Sequence, residues 1–184
     1  MQAAEPEDIQ ENVRRARLGD SDAFAQLYTL YFTPLYRYVY FRVTNKADAD
    51  DLTQEVFLKA YTSFQNYVPS SESPLPYFYT IARNMVIDHY RKKKTLVLNE
   101  DTLHQVPDTA TASPEDEAAT KEEYLLIQTH VTYLPEDQQD ALVLRFINGL
   151  SNKEIARVMK KSEVAVRQLQ SRGLRSLREA IGSQ

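Results

Sequence analysis

Within Tyr77-Phe-Tyr-Thr-Ile-Ala-Arg-Asn-Met-Val-Ile-Asp-His-Tyr-Arg-Lys-Lys-Lys94, residues Phe78, Ile81, Ala82, Met85 and Val86 recur at three- and four-residue steps. That is the spacing of one apolar helix face. Thr80, Arg83, Asn84, Asp88 and Arg91 fall on or beside the opposite face, and the helix runs out into a basic cluster. Arg and Lys near a helix C-terminus offset the macrodipole in any soluble protein. An aromatic entry, an Arg-Asn pair and a cationic exit form a more specific combination. It suits a helix that packs on one side and meets a polyanion with unstacked bases on the other.

The rest of the chain is helical in character too. Its 184 residues hold four glycines, no tryptophan and no alternating Val/Ile/Thr runs, which predicts an all-α protein of one domain or two small ones. Hydrophobic content of 42% and charged content of 26% are ordinary for a globular chain. Cysteine is absent, which removes a disulfide framework, a thiolate metal site and a cysteine nucleophile, and fits a reducing cytosol. Met1-Gln-Ala-Ala-Glu-Pro-Glu-Asp8 is acidic rather than basic-then-apolar, unlike a signal peptide. No apolar run approaches the roughly 20 residues of a membrane span, so the expectation is a cytoplasmic protein with no membrane contact of its own. The net charge of −4 argues against nucleic acid as a partner. That average conceals a strong segregation of charge along the chain.

From the N-terminus, Ile9, Val13 and Ala16 make a first helix that stops at Gly19. Ser21 or Asp22 is placed to cap a second, with Phe24, Leu27, Tyr28, Tyr31, Leu35, Tyr38 and Val39 as its stripe, and Pro34 should kink or split it. Thr44 to Asp51 reads as a turn feeding a third helix, whose Leu52, Val56, Ala60 and Phe64 step along the buried side. Asp48, Asp51, Gln54, Glu55 and Lys59 stay outside, as a solvated acidic face or as a docking surface for a basic partner helix. Asn66 to Pro76, with Pro69, Pro74 and Pro76, is a loop of the length that often serves function. Beyond Lys94 the apolar periodicity fades, and Glu100, Asp101, Asp108, Glu115, Asp116 and Glu117 mark a flexible acidic linker. The expected organisation is two small helical domains, 1–95 and 121–184, joined by a linker over 96–120.

The second domain reads as four short helices. Pro135 starts the second of them. Ser151-Asn-Lys-Glu154 is a capping box opening the third, and after Lys160-Lys161 Ser162 caps the last, with Val166, Leu169, Gly173 and Leu177 inward. Two capped helices around a short break make a helix-turn-helix, with Lys160 where many such turns have glycine. Glu163, Arg167, Gln168, Ser171, Arg172 and Arg175 face outward; Arg suits guanine edges or phosphates and Gln suits adenine. From Arg145 to Glu179 nine Arg or Lys stand against three Glu, a local charge of +6. Catalysis has no comparable support: no HExxH, phosphate loop or GxSxG pattern occurs. Asp88 and His89 point about 100° apart on a helix. No catalytic residue, metal site or cofactor is expected.

Asp22-Ala-Phe-Ala-Gln-Leu-Tyr28, Asp48-Ala-Asp-Asp-Leu-Thr-Gln-Glu-Val-Phe-Leu-Lys-Ala60 and Ile81-Ala-Arg-Asn-Met-Val-Ile-Asp-His-Tyr-Arg91 stand in the first domain. Leu134-Pro-Glu136, Leu144-Arg-Phe146 and Gly149-Leu-Ser-Asn-Lys-Glu-Ile-Ala156 follow in the second. Together they resemble the extracytoplasmic-function (ECF) group of bacterial sigma-70 factors, over nearly the whole chain apart from the linker. The resemblance implies a dissociable subunit that brings core RNA polymerase (its beta-prime and beta subunits) to promoter DNA. It implies that Asp51, Gln54, Glu55 and Phe57 meet the beta-prime coiled coil. Asn84 would hold a flipped base of the −10 element, with Arg83, Asp88 and Arg91 nearby and the 66–76 loop as one wall. Arg167, Gln168, Ser171 and Arg172 would read the −35 element. The linker acids would thread the RNA exit path, and an anti-sigma factor would cover both domains. Five positions depart from the family pattern: Tyr77, Phe78 and Thr80 stand where Trp, Leu and Arg are usual, Leu169 where Arg is frequent and Gln170 where an apolar residue is frequent, and the last two imply a slightly rotated final helix. A stand-alone helix-turn-helix regulator, which would not need Asn84, is the alternative.

Overall fold

The computed structural model describes residues 6–69, 73–99 and 118–182, and every regular element among them is helical. Most of the expected linker, with its six acids, lies outside the described residues. Helix α1 (Pro6–Arg17) lays buried Val13 and Ala16 against α2 (Ser21–Val43). The cap of α2 is Asp20, one residue earlier than the sequence suggests: its Oδ1 accepts from the backbone N–H groups of Asp22 and Ala23 at 3.0 and 3.1 Å. Arg15 donates from Nε to the other oxygen at 2.9 Å and fixes the carboxylate in that position. The Ala23 N–H and Arg15 hold the Asp20 carboxyl below its ordinary range. Pro34 does not split α2, which runs through it. Its carbonyl accepts from Tyr79 Oη at 3.3 Å and Asn148 Nδ2 at 2.9 Å, which tie α2 to neighbouring elements at this point.

Helix α3 (Lys46–Ser63) is capped by Asn45, whose Oδ1 accepts from Asp48 N at 3.0 Å. The segment expected as a turn is therefore mostly the helix's first turn. Leu52, Val56 and Ala60 are buried as expected, and Phe64 opens a 3₁₀ turn, Phe64–Asn66. Helix α4 (Leu75–Asn99) begins two residues before Tyr77 and continues past Lys94. Phe78 sits at the centre of the first domain, its ring within 6.3 Å of those of Phe24, Tyr31, Phe57 and Phe64. Such offset and edge contacts add to the burial of the rings themselves.

The second domain comprises α5 (Ala118–Thr132), α6 (Glu136–Leu142), a π turn over Val143–Ile147, α7 (Asn152–Met159) and α8 (Glu163–Gly182). Gly149, at φ +72°, reverses the chain between the π turn and α7. The Ser151–Glu154 capping box forms as expected, and Ser162 Oγ accepts from Ala165 N at 3.2 Å. Lys160 ends α7 in the left-handed conformation at φ +53°, which is why glycine suits that place. Gly173 lets α8 approach α6: a Cβ there would lie 2.8 Å from Leu142 Cδ1. Gln170 is buried and donates from Nε2 to Asn152 Oδ1 at 3.0 Å, replacing an apolar contact with a bond between α8 and α7.

The two domains pack on each other, and the buried apolar cluster is continuous from α1 to α8. At the junction the α6 carboxylate of Asp140 is fully buried. It accepts from Tyr38 Oη at 2.9 Å and from Arg83 Nε at 2.8 Å. Arg42, 1% exposed, brings Nε to 2.9 Å as an ion contact rather than an aligned hydrogen bond, and donates from Nη1 to Gln139. Burial and then the Asp140 charge hold the Tyr38 phenol well above its ordinary pKa, so it stays a donor. Gln128 Nε2 donates to the carbonyl of Tyr40 at 3.1 Å, and Tyr90 Oη to that of Arg42 at 2.5 Å.

Removing one member of a buried ion pair strands the other's charge. Asp140→Ala should therefore cost about 3–5 kcal/mol in denaturant unfolding, and Arg42→Met combined with Asp140→Leu should recover most of that loss. A second expectation concerns alkaline pH. Burial raises the Tyr31, Tyr38, Tyr40, Tyr79 and Tyr90 phenols above their ordinary value and pushes Tyr36 up to about 12. The unfolded chain then loses protons that the native state keeps. The stabilisation is complete below pH ~10 and falls as pH rises through the folded values, so melting temperature should drop above pH ~10 together with the onset of tyrosinate absorbance.

Candidate nucleic-acid interface

Helix α4 distributes its polar residues over three directions, because successive side chains turn by about 100°. Phe78, Ala82 and Val86 point into the core. Arg83 turns to the second domain, its Nε on Asp140 and its Nη2 on Asp137 Oδ1, both at 2.8 Å. Asn84 turns to solvent and is exposed. Asp88 and Arg91 lie further along, paired to each other at 3.0 Å. The structure thus separates residues that the sequence groups as one −10 set: Asn84, Asp88 and Arg91 share the accessible side, while Arg83 is occupied at the domain junction.

The exposed side of α3 carries Asp51, Gln54 and Glu55, with Leu58 and Lys59 beside them. Phe57 is different. Only 4% of it is exposed, and its ring packs 4.6 Å from Tyr28 and 5.5 Å from Phe78. Successive side chains turn by about 100°, so Phe57 lies on the side of α3 opposite Glu55 and packs beneath the exposed face rather than on it. Between α3 and α4 runs an open groove of about 720 Å³, lined by Leu52, Glu55, Leu58, Met85, Asp88 and His89 among others. Glu55 and Asp88, from two separately inferred sets, are brought to one groove. His89 Nε2 lies 3.4 Å from Asp48 Oδ2 and ties the two helices at its end.

The described part of the 66–76 loop does not wall a pocket around Asn84. Tyr67 stacks on Phe64, Ser73 Oγ lies 3.2 Å from Tyr31 Oη, and Tyr67, Pro69 and Pro74 face α1. There they line a groove of about 510 Å³ with Val13, Arg14 and Arg17. Residues 70–72 of the expected wall lie outside the described residues.

In the second domain α8 presents Arg167, Gln168, Ser171 and Arg172 to solvent, with Glu163 3.8 Å from Arg167. Buried Val166, Gln170 and Gly173 form the opposite side, while Leu169 and Leu177, expected inward, are half-buried beside them. Sequence reading missed Asp137 and Asp140, whose partners Arg83 and Arg42 lie far away in the chain. A signal was present: Arg42 interrupts the apolar run Tyr38-Val39-Tyr40-Phe41-Arg42-Val43, and a buried cation requires a buried anion. Among the described residues no group of three or more His, Asp or Glu could hold a metal ion, and no helix is long and apolar enough to cross a membrane.

Comparison with known proteins places this geometry. Sigma-70 region 2 matches residues 27–95, and Sigma-70 region 4 matches residues 133–179. The ECF RNA polymerase sigma factor BldN of Streptomyces coelicolor is 38% identical over 171 residues, which are 92% of this chain and 64% of BldN, so the match spans slightly less than two thirds of that relative. The ECF RNA polymerase sigma factor SigM of Bacillus subtilis is 30% identical over 75% of this chain and 82% of its own. Among solved structures, the sigma factor RpoE from Bartonella quintana, in a co-crystal with the anti-sigma factor NepR, has TM-score 0.73. It is 20% identical over 86% of this chain and 96% of its own, a likeness of fold. The two matched regions fall on the two helical domains, one carrying α4 and the other the helix-turn-helix. The chain is a member of the ECF group of the sigma-70 family of RNA polymerase sigma factors.

Proposed function

We propose that this chain is a promoter-specificity subunit: it binds core RNA polymerase, reads a −10 and a −35 element, and helps separate the strands at the former. The observation that carries this reading is the pairing of two different exposed polar faces in one chain. One is the Asn84 side of α4, beside an acidic helix; the other is the Arg167–Arg172 side of a helix-turn-helix. A duplex reader on α8 leaves α4 for an unstacked base, whose extraction costs a few kcal/mol that a fitted side chain must offset. Asp51, Gln54 and Glu55 give α3 the acidic docking face for a basic coiled coil of the beta-prime subunit, with Phe57 supporting it from below. Asp88 and Arg91 flank Asn84 on the strand path. Action on polymerase and chromosomal DNA places the chain in the cytoplasm, as an initiation factor without catalysis of its own.

An anti-sigma factor completes the scheme. The fold shared with RpoE of Bartonella quintana, solved with its anti-sigma factor NepR, supports this partner. A pull-down from the source cells that recovers polymerase subunits alone would count against it.

Two substitutions test the central reading. Asn84→Ala should lower promoter opening by the reconstituted holoenzyme about tenfold or more, the cost of one lost buried hydrogen-bonding group, with core binding unchanged. Unchanged opening would favour the stand-alone regulator. Glu55→Lys should weaken core binding by about tenfold at low salt and less at high salt, because it reverses a charge at the rim of the docking face. Binding titrations with labelled core polymerase read this directly, and an undiminished affinity would remove α3 from the interface.

A further inference from the structure

We propose that Gln170 and Asn152 are a positioning pair, which sets the rotation of α8 about its axis and thereby the base preference of the duplex reader. The inference rests on the −35 reading proposed above and adds what aims it. Val166, Gln170 and Gly173 are the buried residues of α8, and Gln170 alone of the three carries a polar side chain. Its Nε2 donates to Asn152 Oδ1 at 3.0 Å. Asn152 is the first residue of α7, directly after the Ser151 cap. The backbone is held there by the Ser151–Glu154 box, in which Glu154 Oε2 accepts from Ser151 N at 2.8 Å. One end of the pair is therefore fixed to the helix that crosses the DNA backbone in this motif, and the other to the helix that reads bases.

An apolar side chain at position 170 would fill the space without choosing an angle, because apolar burial is non-directional. A buried amide pair is satisfied only over a narrow range of geometry, and outside it a donor is left unmade. Gly173 brings α8 close to α6, where a Cβ would meet Leu142 Cδ1 at 2.8 Å, but with no side chain it gives the helix little to resist turning. Gln170 lies three residues from Arg167 and one from Ser171, both exposed. With side chains a helix is about 10–12 Å across, so a turn of about 20° carries an outward tip about 2 Å sideways. Hydrogen bonds to base edges do not survive that displacement. Gln170 itself meets no base; it acts through Arg167, Gln168 and Ser171.

The test uses the full chain assembled with core polymerase and a pool of fluorescein-labelled duplexes of random sequence. Selection from the pool gives the duplex that the wild type prefers, and the readout is its affinity relative to each single-base variant of its upstream element. Gln170→Leu and Asn152→Ala should each shrink that preference about 3- to 10-fold, a part of what one bidentate base contact contributes. The double variant should lose no more than either alone, because both changes remove the same bond. Asn152→Asp keeps an acceptor for Gln170 and should keep the wild-type preference, while its charge lowers affinity for every duplex alike. A merely structural role would lower affinity evenly and leave the ratios untouched. Unchanged ratios in either Gln170→Leu or Asn152→Ala, additive losses in the double variant, or a lost preference in Asn152→Asp overturns the proposal. Asn152→Ala leaves α8 intact, so it decides the matter if Gln170→Leu fails to fold. If the wild-type holoenzyme selects no upstream sequence, the −35 reading falls and the positioning role with it. Selection by the wild type with unchanged ratios in the variants removes the positioning role alone.

Discussion

A carboxylate shut away from water at a domain junction governs how this molecule is put together. Asp140 has no solvent to solvate its charge, and taking an ion out of water costs several kcal/mol even after relaxation. The fold offsets that cost with a phenol hydroxyl from Tyr38, the guanidinium of Arg42 and the guanidinium of Arg83, which come from two helices of the other domain. Apolar burial alone would allow the domains to slide over one another. The directional demands of one buried anion permit a single docking register, which Asn148 on Pro34 and Gln128 on Tyr40 then reinforce.

The same junction decides which parts of α4 are available. Arg83 and Asn84 are neighbours in sequence and face different worlds, one a pair of aspartates and the other solvent. A helix can therefore serve three tasks at once: an aromatic core on one side, a partner domain on the second, a ligand on the third. α3 works likewise, with Phe57 and Val56 inward and Asp51, Gln54 and Glu55 outward. The acidic face of α3 and the Asp88 side of α4 meet along one groove, so a protein bound to the first would lie close to a strand bound to the second.

Much of the helix content was legible because it rests on short-range physics. The four-residue stepping of Leu52, Val56, Ala60 and Phe64 is a property of the helix repeat and needs no knowledge of the partner surface. The Ser151–Glu154 box and the left-handed residue at Lys160 follow from orphan N–H and C=O groups at helix ends. Boundaries were less accessible where a distant or unexpected group intervened. Asp20 displaced Ser21 and Asp22 as a cap because Arg15 steadies its carboxylate, and α2 runs through Pro34, whose carbonyl takes Tyr79 and Asn148 from neighbouring elements. The resemblance implies that Phe57 meets the partner, whereas its position on the helix places it inside. Gln170 reads as a misfit in an apolar register until Asn152 appears opposite its amide.

By itself the sequence determined an all-helical chain with two unlike polar faces, the first aromatic and acidic, the second a basic helix-turn-helix. Periodicity, caps and charge segregation are carried by residues within a few positions of one another, and such interactions are already present in the linear text. Only the tertiary structure decided that Arg42 and Arg83 converge on Asp140, that Tyr67, Pro69 and Pro74 lean on α1, and that Asn84 is left exposed while its neighbour is not. Those outcomes depend on contacts between residues 54 to 102 positions apart. No local pattern encodes them, because a buried charge constrains only the chemistry of its partner and leaves the partner's place in the chain open.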